Sequence, residues 1–207
     1  MSKGILRELG RHVPFTMSGA LVGVGMLVLT MYVHLSHEVF HGMFAVFHPV
    51  HVLLSAMVTA GMYRLHGRGR WWATILIGYF GSIGIATLSD CLIPYLGEIL
   101  RDLPRAHVHA GFIEEWWLVN PAALAGIAIA SRWPRTKFPH AGHVFLSTFA
   151  SLAHMLMSMS GPPDVQTVVQ LGIFLFLAVW IPCCTSDIVF PLLFVKKSDS
   201  QDEAKAE

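Results

Sequence analysis

Histidines gather in one short stretch of the chain, residues 34–51, which reads HLSHEVFHGMFAVFHPVH. This stretch holds five of the twelve histidines in the protein, together with Glu38. Neutral imidazole and carboxylate groups bind divalent transition metals well, and side chains three or four residues apart on a helix can reach one ion. The stretch therefore predicts chemistry based on a bound divalent transition metal, with zinc or iron as the expected metals.

The composition places this chemistry in a membrane. Of the 207 residues, 54% are hydrophobic and only 13% are charged, and the mean hydropathy is +0.58, which is too apolar for an ordinary soluble domain. The net charge is +1 and the Lys and Arg residues are scattered, so nucleic acid is not an expected partner. The lipid bilayer and a metal ion are the partners that the composition favours.

Six mainly apolar stretches have the length of about 20 residues that a membrane-spanning helix needs. They are residues 14–36, 45–64, 71–97, 112–131, 142–160 and 166–195. We therefore expect an all-α membrane protein with six transmembrane helices in a single domain over residues 14–195. Residues 1–13 and a polar, disordered tail at 196–207 would flank it. Lys and Arg residues are concentrated at the two ends of the chain and in the loops between predicted helices 2 and 3 and between helices 4 and 5. The positive-inside rule therefore predicts that both termini are cytoplasmic, in a bacterial inner membrane.

Two short motifs occur twice and in the same order. HPVHVLLS at 48–55 matches HAGHVFLS at 140–147, and LSDCLIPYL at 88–96 matches TSDIVFPLL at 185–193. These matches relate helices 1–3 to helices 4–6, and because three is odd the two halves would have opposite orientations in the membrane. The sequence thus predicts a 3+3 inverted-topology repeat, with halves at about 14–105 and 106–195, as is found in transporters.

The predicted topology divides the candidate metal ligands into two groups. The outer group is His34, His37, Glu38, His41, His48, His51 and Asp90. The inner group is His140, His143 and Asp187, with His154 as a waystation between the groups. Ionisable groups at membrane depth are expensive and are functional candidates by default. Two related sites at opposite faces favour transport of a divalent transition metal by ligand exchange.

One pattern inside the first stretch has a second meaning. Residues 37–41 read HEVFH, the H-E-x-x-H arrangement in which two histidines hold zinc and the glutamate activates a water molecule. On these residues the chain resembles intramembrane zinc metallopeptidases of the site-2 protease family. The resemblance implies His37 and His41 as ligands, Glu38 as the catalytic base and Asp90 as the third ligand.

The chain also departs from that family. Its stretch NPAALAG at 120–126 lacks the Asp that the family carries after Asn-Pro, and the loop charges place H-E-x-x-H at the outer face rather than toward the cytoplasm. The sequence therefore leaves open whether the protein is an enzyme. The alternatives to a transporter are an intramembrane zinc hydrolase and an accessory subunit of a membrane complex, and self-association of the chain is also possible.

Overall fold

The computed structural model describes residues 2–33, 36–66, 70–134, 137–184 and 189–194, and no strand occurs among them. Its α-helices are α1 (Ser2–Thr30), α2 (His37–His66), α3 (Trp71–Thr87), α4 (Ile93–Leu100), α5 (Gly111–Glu114), α6 (Trp116–Arg132), α7 (Lys137–Met157), α8 (Val165–Cys184) and α9 (Phe190–Leu193). A π-helix, Leu88–Leu92, joins α3 to α4. The all-α expectation is confirmed.

Three helical segments in the described part of the chain are long and apolar enough to cross a membrane, and they are His37–His66, Trp71–Leu100 and Val165–Cys183. Two shorter apolar helices, Met17–Thr30 and Gly142–Met157, accompany them. Large apolar side chains are exposed on the outside of the bundle, which suits contact with lipid. The membrane expectation is supported for three helices, whereas six crossings and the inverted repeat stay predictions.

The predicted spans 14–36 and 45–64 leave the H-E-x-x-H stretch between them, whereas in the structure this stretch begins α2 (His37–His66). Helix α1 ends at Thr30, whose hydroxyl donates a 2.7 Å hydrogen bond to the carbonyl of Leu27. The carbonyl of Ser36 then accepts from the backbone N–H of Val39 at 3.1 Å, and serine is a favoured residue for starting a helix. The histidines of this motif and those of HPVH therefore lie on one helix.

Helix α2 is the central element, packed against α3, α6 and α7. Gly126 of α6 allows a close approach, because a Cβ atom there would lie 2.3 Å from the carbonyl oxygen of Leu53. Gly78 of α3 lies close to Ala60 in the same way. Small residues let helix backbones approach one another in membrane proteins. The polar residues of α2 are consequently enclosed by three other helices.

The π-helix interrupts the continuous helical segment Trp71–Leu100 where Asp90 lies. Pro94 has no N–H group, so the usual α-helical hydrogen bond to the carbonyl of Asp90 cannot form. The backbone N–H of Ile93 bonds to the carbonyl of Leu88, five residues earlier, and such widened turns are frequent at functional sites. The turn leaves both Ser89 and Asp90 fully buried against the neighbouring helices.

Candidate metal centre

Asp90 is the focus of a buried hydrogen-bond network. Its Oδ2 atom accepts from Nδ1 of His48 at 2.9 Å and from Nδ1 of His51 at 2.7 Å. Its Oδ1 atom accepts from the hydroxyl of Ser89 at 2.7 Å and from that of Ser147 at 2.8 Å. All five side chains are fully buried. The hydroxyl of Ser151 donates a longer, 3.4 Å hydrogen bond to Oδ1. Five donors around one carboxyl group fit an ionised carboxylate, which accepts hydrogen bonds and donates none.

The charge on this carboxylate needs a partner of opposite sign. Within the described residues, the ion pairs of Asp90 are with His48 and His51, and none involves Lys or Arg. An isolated buried charge is costly unless it is paired. Either a protonated imidazole or a bound metal cation would supply the compensating charge.

The contact with Asp90 also determines which imidazole nitrogen stays available. Because the carboxylate takes the Nδ1–H of both rings, each Nε2 atom is left to bind a metal ion. Carboxylates commonly orient metal-binding histidines in this manner. The Nε2 atom of His51 lies 4.0 Å from Sγ of Cys183, and the Nε2 atom of His48 is buried with no hydrogen-bond partner in the described part of the structure.

His143 and Cys183 join His51 in a buried group of three metal donors. The imidazole rings of His51 and His143 have centroids 5.5 Å apart, and one donor atom from each of the three residues lies within 4.8 Å of the others. Tetrahedral zinc would hold a nitrogen and a sulfur ligand about 3.6 Å apart. Shifts of about 1 Å would therefore bring these donors around one ion, with Asp90 behind His51.

The predicted outer and inner groups meet in the interior of the protein. His48, His51 and Asp90, which also satisfy the distances of a three-donor group, come from the predicted outer group. His143 comes from the predicted inner group and contacts His51 directly. His154 lies closer to the loop between α4 and α5. Its Nδ1 atom donates a 2.7 Å hydrogen bond to buried Glu98.

The H-E-x-x-H residues, unlike those around Asp90, lie at the surface of the protein. His37, Glu38 and His41 are exposed at the start of α2, and the rings of the two histidines are 6.5 Å apart. Asp90, which the resemblance implied as their third ligand, is bonded instead to His48 and the other groups of its buried network. The described residues therefore give this motif no third ligand from Asp90.

Three predicted ligands and the predicted tail are not placed by the structure. His34, Asp187 and the tail 196–207 lie outside the described residues. His140 belongs to α7, but its side chain also lies outside the described part. These assignments stay predictions.

Cys183 and Glu98 are two buried residues with possible metal-donor atoms that were not predicted as ligands from the sequence. Cys183 lies in the apolar run of α8, although it stands two residues before the repeated motif that begins at residue 185, which could have drawn attention to it. Glu98 follows the first copy of that motif, but Arg101 and Arg105 stand close to it in the sequence. Its negative charge therefore suggests a solvated loop residue that offsets these two positive charges.

A series of rings connects this interior with the exposed end of α2. The ring centroids of His41 and His109 are 5.5 Å apart, and those of His109 and His154 are 6.1 Å apart. Phe44 lies 5.7 Å from His154 and stacks on His48 at 4.9 Å. Side chains that could bind a metal ion therefore occur at short intervals from the surface to the Asp90 network, with apolar Phe44 between His154 and His48.

The loop histidine His109 has a shifted pKa. Burial lowers the pKa of His109 below its ordinary value, although nearby Glu114 acts in the opposite direction. The shift favours the uncharged imidazole, since burial penalises the charged form.

The fold and the centre define a class: an all-helical protein with apolar helices fit for a membrane and buried His, Asp and Cys groups that could bind a metal ion. No protein-family model, curated protein or solved structure matches the chain.

Proposed function

We propose that this protein crosses the membrane with six helices and transports a divalent transition metal, with His51, His143 and Cys183 as its central binding site. The observation that carries the proposal is the burial of these three donors beside Asp90, inside a bundle whose helices can span a membrane. Ionisable groups at membrane depth mark ion pathways in many membrane proteins.

The repeated motif supports the same function. His51 and His143 occupy equivalent positions in HPVH and HAGH, and their rings meet at 5.5 Å. In transporters built from inverted repeats, the substrate site lies near the middle of the membrane, where the two repeats meet. A centre with one histidine from each predicted half is what such an arrangement requires.

The donors also indicate which metals would be carried. Two imidazoles and a thiolate favour Zn²⁺ over hard cations such as Mg²⁺ and Ca²⁺, which prefer oxygen ligands. Cys183 would bind as a thiolate, so each metal ion that enters the centre releases the thiol proton. The series of histidines from His41 to His154 would offer donors along the way from the exposed end.

The proposal is tested by measuring Zn²⁺ uptake into liposomes that contain the purified protein. We expect Zn²⁺ uptake above that of protein-free liposomes and no uptake of Mg²⁺. Cys183→Ser should lower the uptake by about tenfold or more, because a site loses at least that factor when its ligand set is disturbed. Cys91→Ser is the matched control, since Cys91 is also a buried thiol but lies outside the three-donor group.

Two outcomes would contradict transport. Stoichiometric Zn²⁺ binding without uptake would indicate a fixed centre and favour the enzyme alternative. A protein that binds no Zn²⁺ and purifies with a fixed partner would favour an accessory subunit of a membrane complex.

A further inference from the structure

A second group of metal donors lies at the exposed end, in the loop between α4 and α5. The imidazole rings of His107 and His109 have centroids 5.4 Å apart. The Nδ1 atom of His109 contacts a carboxylate oxygen of Glu114 on α5. One donor atom from each of these three residues lies within 4.8 Å of the other two. This group shares no residue with the buried centre.

Contacts with two other helices hold the loop in this arrangement. The ring of His41, at the start of α2, lies 5.5 Å from that of His109. The backbone N–H of His109 donates a 3.2 Å hydrogen bond to Nε2 of His154 on α7. His154 is itself fixed by its hydrogen bond to Glu98. The loop histidine is therefore positioned by both a surface residue and a buried one.

We propose that His107, His109 and Glu114 form a second, solvent-accessible site for a divalent transition metal such as Zn²⁺. Two imidazoles and one carboxylate are the ligand set of open zinc sites, which keep a coordination position for an exchangeable ligand. Glu114 and His107 are exposed, whereas the His109 side chain is only 20% exposed, so an ion can enter from water. The site goes beyond the buried centre and does not depend on it.

The location of the site indicates its use. It lies at the end of the molecule where the series of rings toward the interior begins, because His109 contacts both His41 and His154. A metal ion held there by exposed ligands would exchange readily with solvent. This use, unlike the site itself, rests on the transport proposed above, for which the ion would be concentrated at the start of its path. The loop site therefore captures metal ions at the molecular surface.

The test titrates the full-length protein with Co²⁺, whose absorption spectrum reports its ligands. We expect two bound ions, of which only the one in the buried centre shows the charge-transfer band of a thiolate ligand. The double variant His107→Ala/His109→Ala should weaken binding of the other ion by about tenfold or more and keep the thiolate band. His66→Ala, an exposed histidine at the far end of α2, is the control and should keep both ions.

The outcomes separate the two proposals. Unchanged Co²⁺ binding in the double variant would overturn the loop site, as would loss of both ions in Cys183→Ser. A wild-type protein without the thiolate band would contradict only the buried centre, provided that the double variant still loses an ion. If the double variant does not fold, Glu114→Gln gives the same test with one exposed side chain of nearly equal size.

Discussion

Helix α2 carries two pairs of histidines with similar spacing and very different surroundings. His37 and His41 are four residues apart, exposed, and separated by 6.5 Å between ring centroids. His48 and His51 are three residues apart, fully buried, and both bonded to one carboxylate. Sequence spacing allows either pair to bind a metal ion. The groups that other helices bring to the second pair make it the stronger candidate.

The physical difference between the pairs is the cost of burial. An exposed imidazole keeps its hydrogen bonds to water, whereas a buried polar group left without a partner costs about 1–3 kcal/mol. The π-helix supplies Asp90 to His48 and His51, and α7 supplies Ser147 to the same carboxylate. The buried pair thus depends on tertiary contacts that the exposed pair does not have.

The largest expected effect comes from replacing one carboxylate in each region. Asp90→Asn should weaken Zn²⁺ binding at the buried centre by about 10–100-fold, because the residue that orients His51 loses its charge and one acceptor. Glu38→Gln, in H-E-x-x-H, should leave the affinity of that centre unchanged. Isothermal titration of both purified variants measures the contrast. A larger effect of Glu38→Gln would reverse the comparison and favour the zinc hydrolase.

A smaller effect is expected from adding one methyl group beside each histidine pair. At Gly111 a Cβ atom would lie 2.5 Å from Cδ2 and 2.7 Å from Nε2 of His48, whose ring is held by Asp90 and stacked on Phe44. Gly111→Ala should therefore lower the free energy of unfolding by about 1–3 kcal/mol.

The matched change beside the exposed pair should have the opposite sign. Gly42 has open space around its Cα atom and lies within α2, so Gly42→Ala should raise the stability by about 0.4–1 kcal/mol. Thermal unfolding in detergent measures both variants. Equal stabilities would show that the packing around His48 is looser than the structure indicates.

The smallest effect is expected at the start of α8, the helix that carries Cys183 at its other end. Asp164 accepts a 2.7 Å hydrogen bond from the backbone N–H of Thr167, and hydrogen bonds from Thr167 lower the pKa of this exposed carboxyl group. A lowered folded-state pKa stabilises the protein above the unfolded pKa of about 3.9. That contribution is lost as the pH falls through the lower, folded value.

Asp164→Ala should accordingly lower the melting temperature slightly at pH 7, and the difference from wild type should shrink as the pH falls below about 4. Zn²⁺ affinity at the buried centre should not change, since Asp164 lies at the far end of α8 from Cys183. A pH-independent difference in melting temperature would show that the charge of Asp164 is not what stabilises the helix.

Much of the helical framework follows from the sequence alone, because apolar run length is a local property of the chain. The stretches predicted at 45–64 and 71–97 fall within helical segments of the structure. The boundary between the first two helices does not follow in this way. His37 to Phe47 are as compatible with the end of one helix as with the start of the next, and the turn at residues 31–33 decides between them.

The sequence by itself determined the apolar, all-helical character and the supply of side chains that could bind a metal ion, since both depend on residue type and short-range spacing. Only the tertiary structure decided which ligands meet. His51 contacts Cys183 across 132 residues of chain, and Asp90 reaches His48 and His51 from the π-helical turn Leu88–Leu92. Such meetings depend on how helices approach and rotate against one another, which close-packing glycines such as Gly126 control and residue spacing does not encode.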